Sequence, residues 1–394
     1  MLIDQIKQLA QDIHQQVIGH RRHLHANPEL SFREYETSAF VKARLHEMGL
    51  SWESMADTGV VALIQGEKPS DQVIALRADM DALPINELND IPYLSQNPSV
   101  MHACGHDAHT SSLLGTAYIL QSLKSQFGGI VKLIFQPGEE VLPGGASLMI
   151  KDGVLEGRKP TAVIGQHCMP TISTGKIGIS KGLFMASMDE IRVTVKGKGG
   201  HGAMPHHNVD PVLISAQLIV ALQQVVSRFA NPTTPTVLSF GKVIANGAIN
   251  VIPDEVTMEG TFRTFDETWR TEAHAHMKSM AEGIAASLGG SCDFTIVRGY
   301  PALKNEEALT GQVYSIAEAY LGRENIVTLD PWMAAEDFSY FSQVVDSCFY
   351  LLGTGNHEKK TTSFLHTPTF NIDEDALAIS TGLMAYMAVK RLGN

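Results

Sequence analysis

Three short β-branched runs constrain the fold of this chain most. Val73 to Leu76, Ile130 to Phe135 and Ala162 to Ile164 each stop abruptly in polar or Gly/Pro-rich residues, as buried strands do. Helical patterns separate them. Strands alternating with helices predict a largely parallel α/β sheet, and such a sheet places its ligand site beyond the carboxyl ends of its strands. The residues just past the three runs therefore carry the argument: Asp79 and Asp81 after the first, Glu139 and Glu140 after the second, His167 after the third.

The rest of the chain divides around this sheet. Ile3, Ile6, Leu9, Ala10, Ile13 and Val17 recur at helical spacing, which predicts an amphipathic helix before the break at Pro28. From Asp189 the pattern changes: Ile191, Val193 and Val195 alternate as in a half-exposed strand. Asp210-Pro211 has the N-cap and first-turn character of a helix running to Phe229. Strands follow at Val237 to Val243 and Val256 to Phe265, then a helix from Glu267 to Ser287 and a strand from Cys292 to Val297. That β-α-β-β-α-β order is ferredoxin-like. With 394 residues and 44% hydrophobic content, two cores are affordable. The expected organisation is a sheet domain of residues 1–186 and 300–394, with an inserted α+β domain of residues 187–299.

Composition narrows the partners. A formal net charge of −12 disfavours nucleic acid and anionic membrane, which both need a positive footprint. Apolar runs such as Val60 to Ile64 are far shorter than a membrane span, and the N-terminus is polar, so a cytoplasmic protein is expected. The four cysteines (Cys104, Cys168, Cys292, Cys348) are too scattered for a disulfide scaffold.

Cys104 stands in the run Met101-His102-Ala103-Cys104-Gly105-His106-Asp107-Ala108-His109, which is expected to open a helix near Thr110; a late His366 lies in a turn before the final helix. Singly, these residues read as a buried thiol, a capping histidine and a solvated acidic pair. Together, carboxylate, imidazole and thiolate at strand ends suit zinc, manganese or cobalt, and charge buried there without a metal is costly. A structural zinc site of cysteines alone does not fit, because Cys104 has no Cys partner at finger-like spacing. In hydrolases with such mixed donors two metals sit about 3.5–4 Å apart, bridged by water and usually by a carboxylate. Of the adjacent glutamates, Glu140 is assigned to metal and Glu139 to the general base.

Arg22 to Leu30 (RHLHANPEL), Leu76 to Pro84 (LRADMDALP) and Met101 to His109 resemble successive signatures of the M20 peptidase family, in its branch of N-acyl-amino-acid amidohydrolases, hippurate hydrolases and auxin-conjugate hydrolases. Phe135 to Glu140, Lys198 to His206, Asn250 to Pro253 and Glu336-Asp337-Phe338 continue the pattern in the family's order, so the resemblance spans nearly the whole chain. It implies that Cys104, His106, Glu140, His167 and His366 hold two divalent metal ions, with Glu139 as base and Asp81 orienting a ligand. It further implies that the inserted domain is a lid and homodimerisation domain, with His201 reaching the reacting carbonyl and Asn250 and Arg263 available to a substrate carboxylate. The expected reaction is hydrolysis of the amide bond of an N-acyl amino acid. Two departures, Gly202 and the run His366-Thr367-Pro368-Thr369-Phe370, fall near the expected substrate pocket and leave the acyl group open. The competing readings are a Cys104-nucleophile acyl hydrolase and a catalytically silent binding protein.

Overall fold

The computed structural model describes residues 1–393. The chain forms two compact units: Met1–Phe184, Lys304–Asp330 and the stretch from Asp337 onward make the first, and Met185–Leu303 with Pro331–Glu336 the second.

The first unit is built on an eight-stranded sheet. Its strands run in the order Trp52–Met55, Gly59–Gln65, Gly128–Gln136, Lys68–Asp79, Ala162–Ser173, Ser347–Gly355, Ile177–Ile179 and Ile326–Thr328. The three runs singled out in the sequence form adjacent strands, parallel to one another and to Ser347–Gly355. Antiparallel pairs flank this parallel centre, so the sheet is mixed. The register sets Asp79 beside Gln136 and Arg77 beside Gly165, which brings the carboxyl ends of the central strands level.

Two expectations shift in detail. The N-terminal helical pattern is two helices, Leu2–Asp12 and His14–Ala26, broken at Ile13. The helix expected near Thr110 starts at His106, after Gly105 at a φ of +91°, and buries all but three of its 17 residues. Its first turn is hard to recognise because His106, Asp107 and His109 are polar residues facing inward to partners, not outward to water.

The second unit carries a four-stranded antiparallel sheet in the order Thr236–Ile244, Glu255–Thr264, Asp189–Lys196, Ser291–Arg298. Numbered along the chain, that order is 2-3-1-4, the ferredoxin-like arrangement read from the sequence. The helices Pro211–Gln224 and Glu267–Ser287 contribute Leu218, Leu222, Ala273 and Met277 to a core with Ile191, Val193, Val195 and Phe262 of the sheet. Asp210 and Asp266 start them by accepting the N–H groups of Val212 and Leu213, and of Thr268 and Trp269. A π-helical turn, Val225–Phe229, extends the first of these helices.

Candidate metal centre

Five predicted donors from four separate stretches of the first unit converge in one cluster. Cys104 Sγ lies 3.2 Å from His167 Nε2 and 3.3 Å from His366 Nε2. Glu140 Oε1 lies 3.2 Å from His366 Nε2 and 4.0 Å from His106 Nε2. Donor atoms of Cys104, His106 and His167 form one tight triad, those of Cys104, Glu140 and His366 a second, and Cys104 belongs to both. The donor common to these two triads is a thiol and not a carboxylate.

The hydrogen bonds on the far side of each ring fix how the imidazoles face. His106 Nδ1 donates to Asp81 Oδ1 at 3.1 Å, and His167 Nδ1 donates to the Cys168 carbonyl at 2.8 Å. A ring whose Nδ1 carries the proton presents a lone pair at Nε2, which is the form a metal requires. His106 Nε2 is buried without a hydrogen-bond partner. These donors fit a pair of divalent ions: nitrogen, oxygen and sulfur lone pairs converge, and their outer atoms are held.

Electrostatics agree. Burial, then the charges of Glu140 and Glu139, push the Cys104 thiol well up. Burial acts against charge on His106, but Asp79, Asp81 and Glu140 outweigh it and raise the ring to about 10, so a proton and a metal ion compete for the Nε2 lone pair. Burial, reinforced by His109, holds His167 well below its ordinary value. The pocket is rich in negative charge and calls for a compensating cation. The same surroundings disfavour a free Cys104 thiolate, the form a nucleophile needs, unless a cation compensates it.

The structure also places residues that sequence reasoning left aside or assigned differently. His167 lies inside its strand, which continues to Ser173, and not just past it. Asp79, counted among the ligand types, is committed elsewhere: Oδ2 accepts from Arg77 Nη1 at 2.6 Å and Oδ1 from His109 Nδ1 at 2.6 Å. Although burial opposes its ionisation, His106, His109 and Arg77 keep Asp79 well below the usual carboxylate range. His109 Nε2 in turn accepts the Cys168 N–H at 2.8 Å, steadying the strand at His167. Asp337, whose chemistry the motif alone did not reveal, accepts from Arg77, Gln136 and the Ala146 N–H, and its own N–H donates to Glu139 Oε1 at 3.4 Å. These links join residues up to 260 positions apart, so no local pattern announces them.

His201, Asn250 and Arg263 belong to the second unit. His201 is exposed in a two-residue strand, Gly200–His201, paired with Val251–Ile252. Its Nδ1 accepts the Ala203 N–H at 3.1 Å, so the ring proton sits on Nε2. Asn250 is exposed and its carbonyl accepts the Gly202 N–H. Arg263 is half-buried, with Nη1 lacking a hydrogen-bond partner.

Comparison with known proteins completes the picture. The chain is 42% identical to N-acetyl-L-cysteine deacetylase of Bacillus subtilis (strain 168), over 96% of this chain and 89% of the relative. It is 45% identical to the N-acyl-L-amino acid amidohydrolase of Geobacillus stearothermophilus, over 78% and 83%. A Bacillus subtilis crystal structure described as a dinuclear metal binding peptidase superposes with a TM-score of 0.83 at 36% identity, covering 97% of this chain and 99% of that one. The sequence profile of peptidase family M20/M25/M40 matches residues 75–390. With its donors converging as a dinuclear site requires, the chain belongs to that family.

Proposed function

We propose that this protein hydrolyses the amide bond of N-acyl amino acids, giving a carboxylic acid and a free amino acid. The observation that carries the proposal is the convergence of Cys104, His106, Glu140, His167 and His366 beside Glu139. In this reading those five residues would hold two divalent ions. Bound there, they would supply Lewis acidity, lowering the pKa of water toward about 7.

The chain's own groups do the rest. Glu139, almost fully buried, takes a proton from the attacking water and passes it to the departing nitrogen. Asp81 keeps His106 in the correct tautomer and also accepts the Glu140 N–H at 3.0 Å, fixing two metal-binding residues with one carboxylate. From the inserted unit, the Nε2–H of His201 is the right donor for a developing oxyanion. The unpartnered Arg263 Nη1, together with the Asn250 amide, suits the substrate's carboxylate.

We also propose that the protein is a cytoplasmic homodimer joined through the inserted unit, with no nucleic-acid or membrane partner. Thr236–Ile244 is an edge strand of its sheet, with Val243 and Ile244 exposed. The helical stretch Pro211–Phe229 is strongly apolar, yet Val212, Leu213, Val220 and Phe229 are exposed on it. Four buried cysteines, none paired, fit a reducing compartment. Hydrolysis of an N-acetyl- and N-benzoyl-amino-acid panel tests the activity. Metal and substrate binding without turnover would leave a silent binding protein.

A further inference from the structure

We infer that Glu34 is a positioning residue for the catalytic base, clasping the turn that carries Glu139. Glu34 is fully buried, and Oε1 accepts two backbone N–H groups, from Phe32 at 2.9 Å and Gly138 at 2.8 Å. Its Oε2 accepts the Thr58 hydroxyl at 2.7 Å. Glu34 directly precedes the helix Tyr35–Glu47 yet makes no capping bond to it. That role falls to Glu29, whose carboxylate accepts the N–H groups of Glu36 and Thr37. The Glu34 side chain is thus turned away from its own helix toward a loop about a hundred residues along the chain.

A second contact from the same segment grips the other side of the turn. Ser31 donates its hydroxyl to Asp81 Oδ2 at 2.6 Å, and that oxygen also accepts the Glu140 N–H. Glu139 therefore sits between two pinned amides, Gly138 held by Glu34 and Glu140 held by Asp81. The backbone geometry shows how tightly the pieces are set. Gly138 has a φ of +55°, and a Cβ there would lie 2.3 Å from the Phe32 ring, so the ring closes on the turn only because residue 138 is glycine. Phe32 itself has a φ of +62°, a costly conformation for a bulky side chain that persists where surroundings impose it. Ser31, Phe32 and Glu34 form a single clamp on the loop that bears the base.

The inference rests on Glu139 as the base, and its test separates the two. Glu34→Ala and Glu34→Gln are made in the full chain. Hydrogen exchange of the peptide around Gly138 is followed in chelator-stripped protein, and kcat, KM and bound metal are measured after reconstitution. Glu34→Ala is expected to speed amide exchange around Gly138 at least tenfold. It should also lower kcat by about 10- to 100-fold while KM and metal content stay within threefold. Glu34→Gln keeps an oxygen for both N–H groups and should restore exchange and kcat to within threefold of wild type. Unchanged exchange and kcat in Glu34→Ala, failure of Glu34→Gln to restore them, or a loss of kcat that merely follows lost metal would each overturn the inference. If Glu34→Ala does not fold, Glu34→Asp, one methylene too short to reach the Gly138 N–H, replaces it, and wild-type exchange and kcat in that variant would overturn it equally. Should Glu139→Gln stay active, the base assignment fails, while the exchange result still judges the clasp.

Discussion

Replacing Asp81 by Asn changes one oxygen to an NH2 group, and the structure leaves that group no harmless orientation. If the nitrogen takes the Oδ1 position, it meets His106 Nδ1, itself a donor. Relief would need the ring to move its proton to Nε2, the atom aimed at the metal. If the nitrogen takes the Oδ2 position, it meets the Ser31 hydroxyl, which can turn round and accept, and the Glu140 N–H, which cannot. Either way one buried donor or one ligand lone pair is lost. An unpaired buried donor costs about 1–3 kcal/mol. At about 1.4 kcal/mol per tenfold, that is about 5- to 150-fold in metal affinity. The assay is titration of stripped protein with zinc against a chromophoric chelator, beside thermal melts of the stripped proteins to separate binding from folding. An affinity within threefold of wild type would refute the assignment of Asp81 as the group that orients His106 and Glu140.

Other consequences follow from buried charge and exposed apolar surface. Asp107 Oδ2 accepts from both Arg21 Nε and His25 Nδ1, all three residues being fully buried. Asp107→Ala should lower the unfolding free energy by about 3–5 kcal/mol in urea melts, with Asp107→Asn, which keeps the shared oxygen, falling between. Burial, then the charge of Asp81, raises Glu34 from 4.5 to about 7. The unfolded chain therefore sheds this proton between pH 4.5 and 7 while the folded chain keeps it. The stability it contributes is full below pH 4.5 and lost as pH rises to about 7. Glu34→Gln never ionises, so relative to wild type it should gain up to about 3 kcal/mol across that window, read from urea melts at several pH values. Val220, 73% exposed on the helix Pro211–Gln224, should sit in the dimer interface. Val220→Lys is expected to weaken dimerisation at least tenfold in sedimentation, and an unchanged profile would free that face.

The fold was legible in the sequence where burial is simple. Val73 to Leu76, Ile130 to Phe135 and Ala162 to Ile164 read as strands because apolar β-branched residues with sharp ends have few other uses. The inserted unit read well because Ile191, Val193 and Val195 alternate and Asp210 and Asp266 announce their helices. Donor chemistry also showed through, since Cys104, His106, Glu140, His167 and His366 are residue types with strong metal preferences. What stayed hidden is the shell behind them. Arg77, Asp79 and Asp337 are fully buried, so their polarity looks out of place until the fold pairs them. Glu34 resembles a helix N-terminal acid, and only the distant Gly138 N–H reveals its use.

The central claim is that a metal pair held by Cys104, His106, Glu140, His167 and His366 works with Glu139 as base. It is tested most directly by measuring hydrolysis of N-acyl amino acids by chelator-stripped protein, with and without added zinc, manganese or cobalt, beside Glu139→Gln. The account predicts negligible activity when stripped, recovery on adding metal, and a loss of about 10²- to 10⁴-fold in the reconstituted variant with metal still bound. Stripped protein that remains fully active, or a Glu139→Gln variant that matches wild type, would contradict it.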